Sequence, residues 1–413
     1  MSQLQLTRIK REFPDNSLKN PEREVKKELL KFSGSVRPGD RIGIAVGSRG
    51  ISNLELMVRA AVDFVKSRSA RPFIIPAMGS HGGANAGGQS AILEEYGISE
   101  RIVGAPVISS MDVVMLNQGN SPCPVYMDKI AFESDGVILI NRIKPHTDFH
   151  AKYESGLVKM AVIGLGKEKQ ASTVHSYGVY GLSQMIPVIA GQVLSEGKII
   201  GGISLVENAC DKTMLIKALK ADEFLKKEPE LLEIARNNMP ALPVKKLDIL
   251  IIDSMGKDIS GVGIDPNIIG RIRIMGQAEP AVPEIKSIVV LDLTTGSRGN
   301  AIGMGLSDVI TKRLFDKIDL PSTYKNVITS SFLERAKVPV VADCDREAFD
   351  VARRSCGFIK EGMERIIRIK NTLHLEEILV SRVIADELEE SPGIQIVERD
   401  LDMFARDNSF RSF

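Results

Sequence analysis

A chain of 413 residues exceeds the ~100 to 200 residues of an ordinary domain, so two domains are expected. Its 54 Lys+Arg against 53 Asp+Glu leave a formal charge of +1, which excludes a net field for gathering nucleic acid or an anionic membrane; an anionic ligand must be held locally. With 43% hydrophobic and 26% charged residues the composition is globular, which excludes disorder, and no run approaches the ~20 apolar residues of a membrane span. The opening MSQLQLTRIKREF is polar and lacks a signal-peptide apolar stretch, so a cytoplasmic chain is expected. Cys123, Cys210, Cys344 and Cys356 show no CxxC pairing, which argues for reduced structural thiols rather than a zinc knuckle or disulfide framework. There are only five histidines, and His81, His146, His150 and His175 sit close in sequence, with His374 apart.

In chain order, the apolar run Asp40 to Val46 predicts a buried strand followed by the loop Gly47-Ser48-Arg49-Gly50. Residues 51–67 carry Leu54, Met57, Ala61, Phe64 and Val65 at helical spacing, and Arg71 to Ala77 predicts the next strand. A Gly-rich loop, Met78 to Gly88, leads into a helix over Gln89 to Tyr96, and Gly136 to Asn141 predicts a further strand ending in polar residues. This alternation predicts an α/β fold with a mostly parallel sheet, whose ligands collect beyond the carboxyl ends of the strands, where all three loops lie. Residues 222–238 predict a charged surface helix, and Met239-Pro240-Ala241-Leu242-Pro243 breaks it. The domain boundary is placed there, giving domains 1–243 and 244–413. The second α/β pattern starts at Leu247 to Ile252, continues through Ile285 to Leu293, and has helices near residues 307–316 and 346–355. From Gly393 a short strand-like run precedes a polar tail expected to pack back on the first domain.

Ser48 and Arg49, between two glycines at a strand end before a helix, suit a phosphate or carboxylate, although a tight turn with a solvated arginine accounts for them equally. Neither GxxxxGK[ST] nor GxGxxG is present, so an ATP P-loop or a dinucleotide fingerprint is unsupported. His81, in Met78-Gly79-Ser80-His81-Gly82-Gly83, sits on a glycine-rich backbone that a ligand can approach, as a general acid or base or as a structural histidine. The richest run is 141–160, with His146, His150, Ser155, Gly156 and Lys159. Lys159 lies in an apolar stretch, where a lysine must be desolvated, paired or chemically used. His175 follows after a turn-rich segment and can return to the same pocket. The spacing of His146 and His150 lacks the HExxH context, and Pro145 disfavours helix at Lys144, so ordinary zinc hydrolysis is disfavoured.

The combination of Gly79-Ser80-His81, Pro145-His146, Ser155-Gly156 with Lys159-Met160, and His175 resembles the nickel-dependent lactate racemase family and its 2-hydroxy acid racemase and epimerase relatives. The resemblance implies two Rossmann-like α/β domains with an active-site cleft between them, and an isomerase carrying a nickel-pincer nucleotide. It implies that Lys159 tethers this cofactor through a thioamide, that His175 ligates the nickel, and that His81 and His146 are the acid/base pair. Arg49, Ser48, Gly79, Ser155 and Gly156 would line the cofactor. In such an enzyme hydride leaves C2 for the cofactor and returns to the other face of a planar 2-keto acid, while opposed histidines handle the hydroxyl proton of either enantiomer.

The sequence departs from lactate-type members, which carry an aspartate three residues before the arginine, where Val46 stands here. They also place the second histidine closer to the tether lysine, which keeps His150 as the alternative to His146. The C-terminal domain shows no copy of their substrate residues; Lys257 and Asp258 in SMGKDISG, and Ser297 and Arg298 in TTGSRGNAIG, are the candidate replacements or simple turns. These differences favour a 2-hydroxy acid other than lactate. The expected partners are that small molecule and the cofactor-synthesis enzymes, with no nucleic acid and no membrane, and there is room for a homo-oligomer. A nicotinamide-dependent oxidoreductase and a catalytically inactive binding scaffold of the same fold are the competing readings.

Overall fold

The computed structural model describes residues 5–413 except Arg49 and Gln118, with the Thr329 side chain also outside the described set. The chain forms two compact units: Pro14–Met239, and Pro240–Phe413 together with the N-terminal segment up to Phe13. No helix among the described residues is long and apolar enough to cross a membrane.

The first strand, β1 (Gln5–Arg11), belongs to the C-terminal unit. In the unit 14–239, β2 (Arg41–Val46) and β3 (Arg71–Pro76) flank the helix Leu54–Ser67. A small antiparallel pair, β4 (Val113–Met115) and β5 (Tyr126–Asp128), precedes β6 (Gly136–Arg142), and β7 (Ile199–Glu207) and β8 (Thr213–Lys220) complete the sheet. The order is β3-β2-β6-β7-β8, parallel throughout except for β8. Ile42, Ile44 and Val46 alternate onto one face of β2 and pack with Met57, Ala61 and Val65 of the helix, as a two-residue strand period and a helical period require. Because β3, β2 and β6 are parallel neighbours, the segments after Pro76, Val46 and Arg142 all leave the same sheet edge.

The C-terminal unit contains β9 (Lys246–Ile252), β10 (Glu284–Val290), β11 (Val309–Thr311), β12 (Val340–Ala342), β13 (Ile366–Ile369), β14 (Glu377–Ser381) and β15 (Ile394–Asp402). Its eight strands run β12-β11-β10-β9-β13-β14-β1-β15, parallel from β12 to β13 and antiparallel beyond. Leu250 and Ile252 bury into one face and Ile249 and Ile251 into the other, so β9 reads as a continuous apolar run.

Three expectations need correction. Residues 5–11, placed with the first domain, form β1 because Leu6 and Ile9 each find a core of the C-terminal sheet, one on either face. The closing segment docks within its own unit: β15 pairs with β1, and Phe404 and Phe410 stack at 4.8 Å beside Phe349. Residues 307–316 hold β11 and the one-turn helix Lys312–Phe315 rather than a longer helix, because Val309 and Ile310 are drawn into the parallel ladder beside β10.

Candidate active site

After β3 the chain turns through Gly79 in the left-handed region at φ 60°, packed so closely on the next segment that an added Cβ would stand 3.1 Å from the Ile163 carbonyl. The Gly79 N–H donates to Gly164 O at 3.3 Å, which ties this loop to the segment carrying Lys159. His81 is exposed, and its Nδ1 shares a short hydrogen bond with Ser48 Oγ from the loop after β2. The Tyr96 hydroxyl donates to Ser48 O at 3.1 Å, so the residue that contacts the His81 ring is itself held in place. Arg49 lies outside the described residues.

Past β6, Asn141 connects the loops: its Oδ1 is 3.6 Å from where a Gly47 Cβ would stand, and its Nδ2 donates to Gly156 O at 2.8 Å. Lys144 and Ser155 exchange backbone hydrogen bonds of 3.0 and 3.2 Å and close the intervening residues into a loop. The carboxylate of Glu154, 1% exposed, organises its interior. It accepts from His146 N at 2.6 Å and Ala151 N at 3.0 Å, pairs closely with Arg236, and stands 3.5 Å from His150 Nδ1. These contacts hold its carboxyl below the usual range against the opposing effect of burial, which is the largest single influence.

The two competing histidines are therefore differently employed. His150 faces the loop's own anchor, whereas the His146 ring lies 4.8 Å from that of Phe149, over which Lys159 Nζ sits at 5.2 Å. The Asp148 N–H donates to His146 Nδ1 at 3.0 Å, placing the neutral ring's proton on Nε2. Proton uptake at Nδ1 requires that N–H to turn away, and the Asp148 carboxylate, 3.8 Å from the same nitrogen, is placed to pair with the resulting imidazolium.

Lys159 closes the short helix Leu157–Lys159, which runs directly into the wider π-turn Met160–Gly164. Such insertions are frequent at functional sites. Gly156 precedes this helix because nothing larger fits: a Cβ there would stand 2.4 Å from Glu228 Oε1. Glu228, from the helix Phe224–Asn237, accepts the Val158 N–H at 3.0 Å and caps the first turn. Burial pushes its carboxyl up to about 7, opposed by the N–H groups of Val158 and Leu157. Lys159 itself is half-buried.

His175 ends the helix Lys167–His175. Burial pushes its imidazole below the ordinary value, the positive charge of Lys159 pushes it further, and Asp148 opposes both. Lys159, His175, Asp148, Phe149 and His146 thus form one neighbourhood. A neutral imidazole is the metal-binding form, and a primary amine beside it can be acylated, so this donor set fits a tethered, histidine-ligated metal cofactor. Among the described residues no group of three or more His, Cys, Asp or Glu converges as a metal site.

In the C-terminal unit the loops after β9 and β10 pack together. Lys257 N donates to Ser297 Oγ at 2.7 Å, Thr294 Oγ1 donates to Asp258 Oδ1 at 2.5 Å, and Lys257 Nζ donates to Asn326 Oδ1 at 2.7 Å. Gly256 and Gly296 both abut Asp258, and Arg298 is exposed in the left-handed region at φ 48°.

Sequence reasoning missed Glu154, Lys167, Gln89 and Glu228. Glu228 carried a readable signal: with Phe224, Leu231 and Ala235 it falls on the buried stripe of its helix.

Fold and side chains together define a two-unit α/β protein with histidine- and lysine-bearing loops at the carboxyl edge of a parallel sheet. Residues 10–184 match the family model described as the lactate racemase N-terminal domain, so this part of the chain is similar to that domain. Among solved structures, the lactate racemase apoprotein from Thermoanaerobacterium thermosaccharolyticum aligns over 89% of this chain and 98% of that one, at 15% identity and a TM-score of 0.56; it supports the fold. A protein from Thermotoga maritima aligns over 65% of this chain and 70% of that chain at 14% identity, with a TM-score of 0.48. No curated protein matches the sequence.

Proposed function

We propose that the chain is an isomerase that inverts C2 of a 2-hydroxy acid with a nickel-pincer nucleotide tethered to Lys159 and ligated by His175. The reading is supported by the match of residues 10–184 to the lactate racemase N-terminal domain and, above all, by one observation: His175 is half-buried beside Lys159, and burial and that charge both lower the proton affinity of its imidazole. When bound, the cofactor supplies an electrophile able to accept hydride from C2. The protein's own residues then have separable tasks. Lys159 provides the amine that is acylated, and His175 offers its ring nitrogen to the metal. His81, oriented by Ser48, and His146, anchored through its backbone by Glu154, exchange the hydroxyl proton of the two enantiomers. Ser48, Gly79, Ser155 and Gly156, with Arg49, are assigned to the cofactor's surroundings. Within the C-terminal unit, Lys257, Asp258, Ser297 and Arg298 are the candidate substrate residues.

The test is the mass of the peptide containing Lys159, from protein produced together with the cofactor-synthesis enzymes. A covalent nucleotide adduct on Lys159 is expected, and unmodified Lys159 under those conditions contradicts the proposal.

A further inference from the structure

Lys167 has 0% exposure and occupies the left-handed region at φ 54°. Its ammonium donates to the Pro76 carbonyl at 2.5 Å and to Gln89 Oε1 at 3.3 Å, and it forms an ion pair with Asp128 Oδ2 at 3.0 Å. Asp128 is likewise fully buried and uses its other oxygen to accept the Ala131 N–H at 2.9 Å. A buried lysine is retained as a cation only with such pairing, and burial still pushes its ionisation below the ordinary range, with Asp128 pulling it back.

The hold passes from Lys167 to Gln89. Because Gln89 Oε1 accepts from Lys167, the amide has one orientation, with Nε2 turned toward the loop after β3. There it donates to Gly79 O at 2.8 Å and to His81 O at 3.3 Å. Gly79, Gly82, Gly83 and Ala84 of that loop have φ of 60°, 64°, 67° and 54°. Glycine-rich backbone of this kind has little conformational preference of its own and needs an external hold. Lys167 also grips Pro76, the last residue of β3, so the same cation fixes where the loop begins.

We propose that Lys167 and Gln89 are positioning residues for His81: the buried cation sets the direction of the amide, and the amide holds the loop that presents the imidazole. The proposal rests on the reading of His81 as an acid/base group, but its test does not require turnover. Lys167→Met strands Asp128 without its cation and is the harsher change. Gln89→Glu keeps an acceptor for Lys167 while replacing both donors to the loop, so the full-length Gln89→Glu chain is the variant to examine.

Two readouts separate positioning from general support. Amide exchange is followed at Gly79, His81 and Ala84, whose N–H groups are hydrogen-bonded to Gly164, Met78 and Ser80, with Ile44 of β2 as the internal reference. The His81 ring is followed by a histidine NMR titration assigned with His81→Asn. The expected result is at least tenfold faster exchange at the three loop amides with Ile44 unchanged, and a displaced His81 titration with that of His146 unmoved. Loop exchange and a His81 titration identical to those of the parent chain overturn the proposal, as does acceleration spread equally to Ile44. If the loop loosens as expected but His81→Asn leaves the loaded enzyme fully active, the positioning device stands and the catalytic reading of His81 falls.

Discussion

Replacing Glu228 by glutamine tests the physical account of the helix that carries Lys159. The carboxylate is 1% exposed; Oε2 accepts the Val158 N–H, and Oε1 has no hydrogen-bond partner among the described residues. Burial moves its proton release from the ordinary 4.5 to about 7. The raised folded-state value sets the sign: the group's stabilising contribution is complete below about 4.5 and is lost as pH rises through about 7. At about 1.4 kcal/mol for each tenfold change in proton affinity, the gap corresponds to about 3 kcal/mol between those limits. Glutamine keeps an acceptor for Val158 and has no charge to desolvate. In urea unfolding of the full chain, the stability of Glu228→Gln relative to the parent should therefore rise by about 3 kcal/mol between pH 4.5 and pH 8. Taking the difference between the two chains removes the contribution of every group common to both. A difference that stays constant across that range refutes the argument that Glu228 is a desolvated carboxyl.

Gly156→Ala drives a Cβ against Glu228 Oε1 and should cost about 1 to 3 kcal/mol in the same assay; a neutral result contradicts the close approach. Lys159→Met removes the positive charge that lowers His175, so the imidazole should titrate at higher pH by NMR, and an unmoved titration separates the two residues. In loaded enzyme, His146→Asn should retain the cofactor and reduce turnover by about 100-fold, whereas His150→Asn should leave most turnover intact. The reverse pattern would give the acid/base role to His150.

The strands and helices legible in the sequence are those whose burial is settled by near neighbours. Asp40 to Val46 and Leu247 to Ile252 declare themselves as apolar runs because both faces of β2 and β9 are covered. β1 was illegible for the opposite reason: its partners Glu377–Ser381 and Ile394–Asp402 lie at the far end of the chain. β11, at three residues, is too short for a period to emerge. At the candidate site the histidines and Lys159 stood out because chemistry-bearing residues are conspicuous beside glycine and proline. The residues that hold them were concealed. Lys159, read as a lysine in apolar surroundings, is half-buried, and the fully buried lysine is Lys167, which sits between Gly166 and Glu168 in a segment that reads as a polar turn. Its environment comes from Asp128, Gln89 and Pro76, each remote in sequence, so no local pattern reveals it.

The covalent role of Lys159 is decided by the mass of its peptide in protein made with the cofactor-synthesis enzymes. A nickel-pincer nucleotide adduct is expected on Lys159, absent from Lys159→Ala and present in His81→Asn. An unmodified Lys159, or an adduct carried by another residue, would contradict it.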